Sequence, residues 1–117
     1  MKKIQSSPWG TPTRITWLSD DIAEVKTAGH GGYFLEKSSW NSFVSIFPDF
    51  KPWGGNTQWL EEDCDAALLP VFRPELFEKC RVSDAINYVL RNTRYFPWAV
   101  GFFETNHGKK VLDYCKE

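Results

Sequence analysis

His30 sits in the stretch TAGHGGYFLE (27–36), between Gly29 and the pair Gly31–Gly32. With an ordinary pKa of about 6.5, an imidazole there suits a general base or a neutral metal ligand. The same glycines permit positive φ and close backbone approach, which is what a corner between two strands needs. The stretch has no GxxxxGK[ST] phosphate loop, and GxGG without a helix behind it is a weak signal. We read His30 as part of a structural corner.

The second candidate is EEDCD (61–65), with four carboxylates in five residues. Carboxylates at that density suit a hard cation. The apolar spacing of Leu60, Cys64, Ala67, Leu68 and Val71 predicts a helix over 58–69 capped by Thr57. In its first turns acidic side chains are favoured by the helix dipole, so the run is expected to be a solvated face. Cys64 falls on the apolar stripe, and its acidic neighbours oppose thiolate formation. It is expected to be buried and inert. His107, in NHGK (106–109), has turn chemistry and is expected to be solvated beside Lys109 and Lys110.

These readings leave no catalytic residue, metal ligand or cofactor expected. The alternative is a small enzyme or metal-binding domain using His30 as base or ligand with Glu62 and Asp63. It requires the corner and the acidic run to meet in space.

Binding chemistry is better represented. Six Trp, four Tyr and nine Phe are many for 117 residues, and such rings stabilise small cores and dominate binding hot spots. Trp9, Trp53 and Arg94 are the expected anchors. Arg73, Lys79, Arg81, Arg91 and Arg94 interleave with Phe72, Phe77, Tyr88, Tyr95 and Phe96, as on a single-stranded nucleic acid platform. Glu75, Glu78 and Asp84 offset much of that charge, which favours a protein partner.

The elements that would carry these groups follow from periodicity. TRITWL (13–18) and IAEVKTA (22–28), joined by SDD, predict a hairpin. YFLE (33–36) follows as a third strand, and Trp40, Phe43, Val44 and Phe47 mark a helix over 39–47 ended by Pro48, with Ser38 or Ser39 as cap. Pro70 is expected to stop or kink the helix over 58–69. A helical turn is expected in RPELFEKC, a third helix over 84–92 capped by Ser83, a late strand in RYFPWAVGFFET (94–105), and a short C-terminal helix. Residues 1–12 read as an irregular lead-in with Trp9 anchored on the body. The fold class is α+β: one domain over 1–117, an antiparallel sheet of three or four strands with about three helices on one face.

Fourteen basic and 15 acidic residues leave no global field to attract nucleic acid or an anionic membrane. Three widely spaced cysteines fit reduced thiols in a cytoplasm, and no stretch has the length and apolarity of a membrane span.

The order Trp9–Gly10, His30–Gly31–Gly32 and Glu61–Glu62–Asp63–Cys64 resembles a functionally uncharacterised small domain of bacterial and phage mobile elements, over about residues 8–77. The resemblance implies a mobile-element setting and no assigned reaction. Together with composition it leads to the expectation of a non-enzymatic module binding a host or element-encoded protein, such as an inhibitor of a CRISPR or restriction complex. Beside the enzyme or metal-binding alternative, a third expectation is an interaction module of a larger assembly.

Overall fold

A computed structural model describes residues 4–116, the Trp53 side chain excepted. The fold is α+β, and the chain forms two compact units. Among the described residues, no helix is long and apolar enough to cross a membrane.

The first unit takes in the chain to Phe47 and Lys51–Ala66. Its sheet has four antiparallel strands in sequence order, β1 Arg14–Trp17, β2 Ile22–Lys26, β3 Gly31–Leu35 and β4 Trp59–Glu61. The predicted hairpin is present, in register Ile15↔Val25 and Trp17↔Ala23. Because paired residues share a face, the registers sort the strands into two sides. Ile22, Tyr33, Leu35 and Leu60 share one, all buried. Ala23, Val25, Gly32, Phe34, Trp59 and Glu61 share the other. Both faces are covered, so strict apolar alternation is not needed in β2, where Ala23 and Val25 are as buried as Ile22.

Helix α1, Lys37–Ile46, packs against β3 and buries Trp40 and Phe43, with Phe47 buried just beyond its end. The stacked Trp40–Phe43 and tilted Phe43–Phe47 rings are the predicted stripe. Its capping position is Glu36, not Ser38 or Ser39. Ser39 lies inside the helix and donates its hydroxyl to Asp21.

The helix expected over 58–69 is not formed. Trp59 and Leu60 pair with Phe34 and Tyr33, and the chain turns through 62–64 into a 3-10 turn, Asp65–Ala67, before α2, Leu68–Phe72. Short apolar runs fit either period, and here 59–61 pair with the open edge of β3. Gln58 enters β4 with φ 72°, a conformation outside the helical region.

The second unit comprises 48–50 and Ala67–Glu117. Helix α2 continues into a 3-10 turn, Pro74–Leu76, the helical turn expected in RPELFEKC. Pro70 neither ends nor kinks α2. It occupies the first turn, where its missing N–H has no intrahelical partner to lose.

Helix α3, Lys79–Arg91, begins five residues before its expected start, so Ser83 is internal and Glu78 takes the capping position. It buries Val82, Ala85, Ile86 and Val89 and packs on α2, α4 and α5. The late strand expected over 94–105 is also absent. Its place is taken by turns and α4, Ala99–Phe102. The aromatic run builds a core instead: Phe96 is 1% exposed and touches Tyr88 and Trp98, and Trp98 touches Phe102.

Helix α5, Asn106–Lys116, starts within the expected turn. His107 is therefore not a solvated turn residue. Its Nε2 lies 3.0 Å from the Val71 carbonyl, and its ring rests against Phe72 and Phe102.

Candidate functional site

The corner before β3 is tied by one side chain. Thr27 donates its backbone N–H and its hydroxyl to the His30 carbonyl (2.8 and 2.9 Å) and accepts the His30 N–H on the same hydroxyl (3.1 Å). The backbone of His30 is thereby fixed while its imidazole stays exposed.

The glycines flanking His30 serve a purpose other than positive φ, since none of Gly29, Gly31 and Gly32 adopts it. Gly31 and Gly32 are strand residues whose missing side chains leave room for others. A Cβ on Gly32 would stand 2.1 Å from the Leu60 carbonyl oxygen and 2.5 Å from Cη2 of Trp9. A Cβ on Gly31 would stand 3.2 Å from Oε2 of Glu62.

That pair of contacts sorts the acidic run. Side chains alternate along β4 and its extension, and Glu62 continues the ladder by donating its N–H to the Gly31 carbonyl (3.0 Å). Glu62 thus reaches over Gly31 on one side, and Glu61, paired with Gly32, turns to the opposite face. Glu61 is 8% exposed, and its Oε2 accepts the backbone N–H of Asp63 at 3.0 Å.

The corner and the acidic run do meet. His30, Glu61 and Asp63 each offer one nitrogen or oxygen donor, and the three atoms lie within 4.8 Å of one another. The set differs by one residue from the alternative His30, Glu62 and Asp63. The helical assignment of 58–69 concealed this; reading WLEE as an alternating strand paired to HGGYF would have exposed it.

Electrostatics follow from burial. The Glu61 carboxyl is pushed above its ordinary range, first by desolvation and then by the charges of Asp63 and Asp65, against the lowering effect of the Asp63 N–H. The Cys64 thiol is likewise raised, by burial and then by Asp65 and Glu61. It is half-buried and held away from the thiolate form that nucleophilic chemistry requires. The imidazole with two carboxylates can accept a proton or share a cation.

The three expected binding anchors have separate fates. Trp9 is presented by a turn in which Ser7 and Gly10 exchange backbone hydrogen bonds, Gly10 having φ 118°. Its ring covers Gly32 and meets Trp59 edge-on at 5.4 Å. Its indole N–H is buried and has no acceptor among the described residues. This is the role expected of it in the lead-in, an anchor on the body. The Trp53 side chain lies outside the described residues. Arg94 is exposed in the turn after α3, beside Tyr95.

The basic side chains around Arg94 are not equivalent. Arg73 pairs with Glu75 at 2.6 Å, Arg81 lies over the Phe77 ring and Lys79 over Tyr114. Arg91 and Arg94 make no ion pair among the described residues, and no acidic residue occurs between Asp84 and Glu104. Tyr95 and Val100 are each 63% exposed there, with Tyr88 and Leu90 also open to solvent.

The sequence profile of a domain of unknown function, DUF7007, matches residues 2–111, and the chain belongs to that family. Neither a curated protein nor a solved structure matches it.

Proposed function

We propose that this DUF7007 chain is a non-enzymatic protein-binding module whose contact surface is the C-terminal end of α3 with the turn that follows. The observation that carries the reading is the exposure of Tyr95 and Val100, together with Arg91 and Arg94, in a stretch that holds no acidic residue between Asp84 and Glu104. An exposed aromatic ring in a run with guanidinium groups that make no ion pair among the described residues is the composition of a binding hot spot.

The complementary partner presents an acidic, partly apolar protein surface. Arg94 is one of the expected anchors, and Arg91, Tyr95 and Val100 join it on this surface. The mobile-element resemblance supports a host defence complex, of CRISPR or restriction type, as the partner class. In that role the domain acts by occupying a surface, and no reaction is required of it.

The test is capture of host proteins on wild-type chain against Tyr95→Ala and Arg94→Glu, followed by titration of the purified partner. Loss of binding by either variant, with the fold intact by circular dichroism, is the expected result. Equal capture by all three proteins would remove the surface from consideration, and salt-sensitive retention of single-stranded nucleic acid instead would replace the protein partner with a nucleic acid one.

A further inference from the structure

We propose that His30, Glu61 and Asp63 form a binding site for one divalent transition-metal ion of the Mn²⁺-to-Zn²⁺ class. The site lies in the first unit and does not depend on the protein-binding surface assigned to the second.

The donors come from two separated stretches of chain, the corner before β3 and the end of β4 with the turn that follows it. An acidic run by itself is ordinary on a protein surface. What distinguishes this one is the imidazole brought to it by the β3–β4 pairing, and the strand alternation that selects Glu61 over Glu62.

Donor type sets the metal class. One imidazole nitrogen with two carboxylate oxygens suits zinc and its first-row neighbours, whereas Mg²⁺ and Ca²⁺ favour all-oxygen shells. Three protein donors leave at least one position for water, the pattern of open zinc sites. Two atoms bound about 2.0–2.2 Å from a common ion stand about 3–4 Å apart. The observed limit of 4.8 Å is somewhat wider, and two of the donors, His30 and Asp63, are on exposed side chains.

The Asp63 N–H holds one oxygen of Glu61, and Thr27 fixes the backbone from which the exposed His30 imidazole projects. A cation there would also offset the negative charge that Glu61 and Asp63 bring beside Asp65.

The experiment uses the whole chain, dialysed against a chelator and titrated calorimetrically with Zn²⁺ and separately with Mn²⁺, with Mg²⁺ as the oxygen-preferring control. One equivalent of transition metal is expected, with weaker uptake of Mg²⁺. Loss of a ligand should cost at least the roughly 10- to 100-fold in affinity typical of outer-shell partners. His30→Ala tests this on an exposed side chain that the fold does not need, and Glu61→Gln tests it without change of shape. Cys64→Ser should bind as wild type. The proposal is overturned if the wild-type chain takes up neither ion, if His30→Ala and Glu61→Gln bind unchanged, or if only Cys64→Ser loses the metal.

Discussion

Trp9 lies over Gly32, and the space a methyl group would need at residue 32 is shared by the indole ring, at 2.5 Å, and the Leu60 carbonyl, at 2.1 Å. One obstacle is a side chain and the other is backbone of the neighbouring strand. Gly32→Ala must therefore push β4 away from β3 as well as displace the ring. We expect a loss of about 1–3 kcal/mol or more, the range for overpacking, measured by chemical denaturation. Trp9→Ala in the same chain should not restore stability, because the contact with the backbone remains.

Glu61 should make the metal-free protein less stable as pH rises. Its carboxyl is raised in the folded state above the ordinary value of 4.5, so the folded chain holds the proton more tightly than the unfolded one. Stability falls across the window that begins at the ordinary value and ends at the raised one. In chelator-treated protein, denaturation midpoints between about pH 4 and 7 should show this fall for wild type, and Glu61→Gln should flatten it. An equal slope in both proteins would remove Glu61 as its origin.

The three cysteines should react in an order set by exposure and charge. Cys80 is exposed, whereas Cys64 is half-buried with a raised pKa. Alkylation followed by peptide mass spectrometry should find Cys80 modified first and Cys64 more slowly.

Phe96 and Tyr95 are neighbours in sequence with opposite duties. Phe96→Ala should cost about 3–5 kcal/mol by opening a cavity among Tyr88, Trp98 and the α3 core. Tyr95→Ala should stay within about 0.5 kcal/mol, as for exposed positions generally. Thermal melts of the two variants check both, and a reversal would mean that the segment is a strand with the other ring inside.

Much of the framework was legible because it rests on local periodicity. The β1–β2 hairpin and the Trp40–Phe43–Phe47 stripe of α1 each show their period over a few residues. The rest failed where a stretch satisfied two periods at once. WLEEDCDAALL reads as a helix until β3 offers an edge, and RYFPWAVGFF reads as a strand until its rings find a helical core.

By itself the sequence determined the class of fold, the balance of charge and the presence of a histidine corner and an acidic run. Only the tertiary structure decided that they meet, and that Glu61 rather than Glu62 joins His30. The reason is that strand side chains alternate, so pairing register sets which carboxylate faces which side. Register belongs to the β3–β4 contact, where a bare Gly32 lets Trp9 and Leu60 approach.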